Sequence, residues 1–243
     1  MKNEKAVPQK SFPLRVGTYN IKCGASMVDF DMSLIAQDIQ SLSLDVVGLQ
    51  EIDNMTTRSD GRDVIKLLAQ ALGYPYYRFT KSIDYQGGEY GTAIVSRYPI
   101  VNFRSETLPH AETADPEQRA AGIATIDVNG NTVQLVNTHL SLGETSARQE
   151  QFKRIAQIVE KSECFVITGD FNTFNVAEFS AIPNTKLVNA GKYPTFYPAS
   201  FAIDEIVLAA GWNIVSSGMK DAEGHSDHNM LWAELEYTKT SIE

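Results

Sequence analysis

The sequence predicts an α/β sandwich, two mixed and mostly antiparallel sheets packed face to face with helices on the outside. Three observations point there. Short runs of strand formers recur along the whole chain. An Asn129-Gly130-Asn131 step between two of those runs is a hairpin signal. Only three stretches carry a helical period, too few to alternate with every strand as in a doubly wound parallel sheet.

Taken in order, residues 1–12 are polar with scattered lysines and read as a loose tail, and residues 13–243 as one domain. Leu14–Asn20 alternates and reads as a strand ending at Asn20. Asp31 can cap a helix with Leu34, Ile35 and Ile39 on one face. Asp45–Glu51 is a short apolar run ending in Gln50 and Glu51, the pattern of a buried strand. Asp63–Leu72 is a second helix, stopped by Gly73 and Pro75. Strands are predicted at Tyr76–Phe79, Gly91–Ser96, Val101–Leu108, Arg119–Val128 and Thr132–Thr138. Glu144–Lys161 is a helix with Phe152, Ile155, Ile158 and Val159 as its apolar stripe. Cys164–Thr168 is a buried strand that runs into Gly169-Asp170-Phe171-Asn172. Residues 173–202 are loop-rich, and strands return at Ile203–Leu208, Trp212–Ser216 and Met230–Tyr237.

With 243 residues, 43% of them hydrophobic, the chain can bury a sizeable core. A net charge of -9 supplies no long-range attraction to nucleic acid or anionic lipid. Its two cysteines, Cys23 and Cys164, are too few and too far apart for a disulfide framework and read as small buried apolar residues. The first twelve residues lack an apolar signal region, and no run is long enough to span a bilayer. The expectation is a cytoplasmic protein without stable membrane insertion, and nothing implies a protein partner.

The chemistry is concentrated at strand ends. Apolar runs terminate in Asn20, Glu51, His139, Asp170 with Asn172, Asp204, and Asp227 with His228. Singly, several have structural explanations: Asn20 can close a strand on backbone, Glu51 can be a solvated rim residue, and Asp170 to Asn172 can be a turn. Asp204, inside an apolar strand, is harder to explain that way, because a buried carboxylate needs a partner. His110 and His225 read as spare polar loop residues. Together, the carboxylate and amide oxygens suit a hard cation, Mg²⁺ or Mn²⁺, and the two strand-end histidines suit an anionic ester. Neither a His-Glu-x-x-His zinc motif, a Gly-x-Ser-x-Gly elbow nor a P-loop is present.

The chain resembles the endonuclease/exonuclease/phosphatase superfamily. That resemblance rests on Thr18-Tyr19-Asn20-Ile21, Val47-Gly48-Leu49-Gln50-Glu51, Gly91-Thr92-Ala93-Ile94-Val95-Ser96-Arg97, Asn137-Thr138-His139-Leu140, Gly169-Asp170-Phe171-Asn172, Ile203-Asp204 and Gly224-His225-Ser226-Asp227-His228, in that order. It implies a four-layer sandwich and Mg²⁺-dependent phosphoester hydrolysis. It also implies Glu51, Asn20 and Asp227 as metal-site residues and Asp170 as the group that orients or deprotonates water. Asn172, His139, His228 and Arg119 would hold phosphate oxygens, with Asp204 fixing His228. Lys22 and Cys23 depart from the usual pattern after Asn20-Ile21, as do Thr92 and Glu205 at their positions.

The acidic charge and the sparse basic residues of 173–202, Lys186 and Lys192, favour a phosphorylated small molecule as substrate. A Mg²⁺-dependent nuclease acting on DNA or RNA is the alternative, and a sphingomyelinase-like phosphodiesterase or a non-catalytic phosphate-binding module are further ones. Tyr85, Tyr90 and Phe196 are candidate pocket residues.

Overall fold

The structure is a computed structural model that describes residues 11–24, 32–110, 116–143 and 145–239. In chain order its strands are β1 (Ser11–Asn20), β2 (Val46–Asn54), β3 (Tyr76–Tyr85), β4 (Gly88–Ser96), β5 (Ile100–Thr107), β6 (Ala120–Val128), β7 (Asn131–His139), β8 (Phe165–Asp170), β9 (Thr185–Leu187), β10 (Asp204–Ala209), β11 (Trp212–Lys220) and β12 (Met230–Thr238). Three α-helices accompany them, α1 (Met32–Ser41), α2 (Val64–Leu72) and α3 (Thr145–Val159).

Two six-stranded sheets result, ordered β11-β12-β1-β2-β4-β3 and β5-β6-β7-β8-β10-β9. Each is antiparallel except for one central parallel pair, β1/β2 in the first and β7/β8 in the second. Parallel neighbours need a long crossover, and α1 and α3 supply the two. The expected mixed two-sheet sandwich is therefore present.

The strand period sets the layers. On β1 and β2, Leu14, Val16 and Val46 join the large core that also takes in the second sheet, whereas Tyr19, Val47 and Leu49 pack with α1 and α2. α3 covers the second sheet with Phe152, Ile155 and Val159, and Phe152 stacks on Phe171 at 5.6 Å. Asp63 caps α2 by accepting the Lys66 N–H, and Gly73 ends it at φ 69°.

Several boundaries differ from expectation. Ser11 and Phe12 are not tail but the start of β1, paired with Thr238 and Tyr237, because the Phe12 ring packs 5.5 Å from both Trp212 and Tyr237. Residues 1–10, Asp31 and Glu144 lie outside the described residues. β3 runs six residues past Phe79 and turns into β4 through Gln86 and Gly87, both at positive φ, as a two-residue hairpin requires. The exposed, mixed composition of that segment hid its period. β9 adds an edge strand inside the loop-rich stretch. Both cysteines are free thiols, Cys23 buried as expected but Cys164 only half-buried. None of the described helices is long and apolar enough to cross a membrane.

Candidate active site

Sheet register gathers the polar strand ends. β7 and β8 are parallel, so both deliver their last residues to one edge, and His139 sits opposite Asp170. β10 runs antiparallel to β8, so its first residue reaches the same edge, with Asp204 opposite Asp170. In the other sheet, parallel β1 and β2 place Asn20 opposite Gln50, next to Glu51.

A buried polar network couples the two sheets beneath this edge. Gln50 donates to Asn137 Oδ1 at 2.7 Å and to Thr18 Oγ1 at 3.1 Å, and Thr168 donates to Asn137 Oδ1 at 3.0 Å. Asn137 in turn donates across the gap to the carbonyls of Leu49 and Ala93, each at 2.9 Å. Gly48 makes room, since a Cβ there would come within 2.0 Å of Thr168 Oγ1.

Above the network, Asn20 Nδ2 donates to Glu51 Oε1 and Asp170 Oδ2, both at 3.0 Å. Asp170 Oδ1 accepts the Asn172 N–H at 3.0 Å. His139 Nε2 and His228 Nε2 lie 3.5 and 3.6 Å from Asp170 Oδ2. His228 Nδ1 is 2.8 Å from Asp204 Oδ2, while Asp204 Oδ1 is buried with no hydrogen-bond partner. Glu51 and Asn172 both hold left-handed backbone, φ 58° and 50°, which is strained for Glu.

Their surroundings push the two imidazoles in opposite directions. Burial works against a charge on His228, but Asp204 and Asp170 outweigh it and hold its pKa up at about 10. Burial drives His139 down to about 3, with Arg119 reinforcing and Asp170 opposing. Neutral His139 accords with Asn172 Nδ2 donating to its Nε2 at 3.0 Å, which assigns the ring proton to Nδ1. Glu51 is raised by burial and by the charges of Asp170 and Asp227, partly countered by Asn20. The pocket thus carries an excess of negative charge on oxygen, which fits a hard divalent cation at Glu51 and Asp227, with Asn20 able to join once its amide turns, since its Oδ1 accepts the Lys22 N–H at 3.0 Å. Asp170, Asp204 and His228 also bring ligand atoms within 4.8 Å of one another, although the His228 bond to Asp204 already occupies two of them.

Asp227, Arg119, Tyr90 and Phe196 line a cavity together with Glu51, Asp170 and His228. Asp227 forms an ion pair with Lys22 at 2.6 Å. Arg119 is buried against Glu117 at 2.9 Å. Tyr90 and Phe196 line the cavity; Tyr85 does not, and packs on Tyr90 beneath Arg58. Thr92 is buried off the cavity. Glu205 faces away from it, accepting the N–H groups of Asn189, Ala190 and Ile206, and so is a loop anchor.

Sequence reasoning missed the supports. His225 is not a spare loop residue: its Nδ1 lies 2.8 Å from Asp38 Oδ2, and Ser226 donates to the Asn20 carbonyl at 2.7 Å, so the loop bearing Asp227 and His228 is tied to α1 and β1. One signal was available. Asp38 stands among Met32, Ile35, Ala36 and Ile39, the buried residues of α1, and a carboxylate there demands a partner.

The sequence profile described as the Endonuclease/Exonuclease/phosphatase family matches residues 17–228, which include every residue placed at this site. The chain belongs to that family. Its members are generally phosphoester hydrolases. Among solved structures, the endonuclease/exonuclease/phosphatase from Beutenbergia cavernae DSM 12333 superposes with a TM-score of 0.80 at 22% identity, covering 95% of this chain and 73% of that one. The human Nocturnin catalytic domain, solved with a bound sulfate anion, gives 0.71 at 20% identity, covering 95% and 98%. At these identities the likeness is one of fold. Protein cwh43 of Schizosaccharomyces pombe is 31% identical over 133 residues, 53% of this chain, and the chain spans only 13% of that protein's length.

Proposed function

We propose that the chain is a divalent-metal-dependent phosphoesterase that hydrolyses a phosphomonoester or phosphodiester of a small molecule by direct attack of water on phosphorus. The observation that carries this reading is the convergence on Asp170 Oδ2 of Asn20 and His139, from the ends of β1 and β7 in the two sheets, and of His228, from the loop before β12. Asp170 is oriented by Asn20 and the Asn172 N–H, which leaves it poised to take a proton from the attacking water. His228 is held as an imidazolium by Asp204, so its Nε2–H is a charge-assisted donor for a phosphate oxygen. Asn172 now donates to His139 and to the Leu140 carbonyl, and a phosphate oxygen entering the site would compete for those amide hydrogens. Arg119 adds a buried positive charge to the wall. Glu51, Asn20 and Asp227 would hold Mg²⁺ or Mn²⁺, which when bound offsets phosphate charge and polarises the scissile bond.

The test is a rate panel on aryl phosphomonoesters and diesters with Mg²⁺, Mn²⁺ or chelator. Turnover should require the cation, and Asp170→Asn should lower kcat at least about a hundredfold. Undiminished turnover in chelator, or an active Asp170→Asn enzyme, would sink the reading. Plasmid cleavage that collapses steeply with salt would move the assignment to the nuclease alternative.

A further inference from the structure

Three large apolar side chains stand exposed at the mouth of the cavity. Phe174 follows β8 and Phe201 precedes β10, and their rings lie 5.1 Å apart. Both remain exposed, by 64% and 44%, although each is large and hydrophobic. With Leu142, itself 65% exposed, they line the same cavity as Glu51, Asp170 and His228. Phe196 continues this wall inward, its ring 5.0 Å from His228. Phe196 and Phe201 belong to one loop and exchange backbone N–H to carbonyl bonds at 2.9 and 3.1 Å, which fixes that side of the wall. Exposed aromatics paired on a formed platform, beside a reaction centre, are a surface waiting for an apolar face.

The charges argue in the same direction. The cations of the cavity wall are each held by a carboxylate, Arg119 by Glu117 and Arg148 by both oxygens of Glu178. Lys22, beside the site, is held by Asp227. The wall therefore offers paired charges and rings where a polyphosphate or a nucleic-acid backbone would need a row of uncommitted cations.

We propose that the alcohol side of the substrate is an apolar group that seats on the Phe174–Phe201 pair and Leu142 while its phosphate reaches Asp170 and His228. This rests on the phosphoesterase reading. It narrows the substrate to a phosphate ester of an aromatic or otherwise apolar alcohol, and argues against an inositol polyphosphate.

The experiment is calorimetric titration of the Mg²⁺-loaded protein with phenylphosphonate and methylphosphonate, which share the phosphonate head group and differ in the ring. Phenylphosphonate is expected to bind about tenfold more tightly, the upper end of what an aromatic contact contributes beyond its area. The Phe174→Ala/Phe201→Ala double variant should erase that preference and leave methylphosphonate affinity unchanged. Both side chains are exposed, so folding should be intact, which the thermal midpoint checks. Flotation with neutral phosphatidylcholine vesicles separates two sources of the apolar group. Vesicle binding lost in the double variant assigns it to a lipid, and ring preference without vesicle binding assigns it to a soluble ester; both uphold the apolar subsite. Equal phosphonate affinities without vesicle binding, or a preference kept in the double variant, overturn it. If neither phosphonate binds, the phosphoesterase reading itself fails.

Discussion

Asp204 bonds His228 through one oxygen and leaves the other buried without a donor. A carboxylate in that position is tolerated because the imidazolium it faces needs it, and the reverse is also true. Asp204→Asn keeps the shape and removes the charge, so His228 should lose its protonated state and kcat should fall roughly 10–100-fold. An unchanged kcat would detach Asp204 from His228. The neighbouring Glu205 behaves differently. Burial lifts its carboxyl from 4.5 to about 7 despite the backbone N–H groups of Asn189, Ala190, Ile206 and Val188, which favour the ionised form. The folded protein therefore holds this proton more tightly than the unfolded chain. The resulting stability is present below pH 4.5 and is lost as pH rises through about 7. Glu205→Gln retains the acceptor oxygen, so its unfolding free energy should decline less than that of the wild type between pH 5 and 8. Parallel curves in denaturant titrations would rule this out.

Two kinds of element carry the site. Strand ends and the loop before β12 place the proposed reacting groups, and the polar network of Thr18, Gln50, Asn137 and Thr168 links the sheets below them. The network depends on a position with no side chain. Gly48→Ala would press a methyl into Thr168 Oγ1 and Asn137 Oδ1, both in satisfied hydrogen bonds. Overpacking of this kind costs about 1–3 kcal/mol, so the urea midpoint should drop measurably while m stays constant. Wild-type stability in Gly48→Ala would show that the sheets can separate freely at this point. α1 contributes through Asp38, which holds His225 and with it the loop of Asp227 and His228.

For the molecule as a whole, burial first, and then the charges of Asp170 and Asp227, raise the Glu51 carboxyl, so the folded state is penalised for holding it ionised. A cation that binds only the folded site relieves this and stabilises by mass action. Mg²⁺ at millimolar concentration should therefore raise the thermal midpoint by a few degrees, and Glu51→Gln should blunt the increase. No Mg²⁺ effect on the wild-type midpoint would count against a cation site at Glu51. The net charge of -9 supplies no long-range pull on a polyanionic substrate, so the proposed subsite would select substrate by local apolar contact.

Much of this was legible in the linear chain because sheets write a period of two into it. Alternation along Leu14–Asn20 and the apolar run before Glu51 located the strands and their polar tips, and ordered motifs named the family. The β3–β4 hairpin was not legible, since an exposed strand needs no hydrophobic alternation. Nor were the pairings. Residues 38 and 225, 22 and 227, or 174 and 201 are brought together only by the sheet crossovers and loop closures. Residue type and local pattern thus determined which groups could do chemistry. Tertiary structure alone decided which way each imidazole's pKa moves and which rings face the mouth, because both depend on burial and on neighbours distant in sequence.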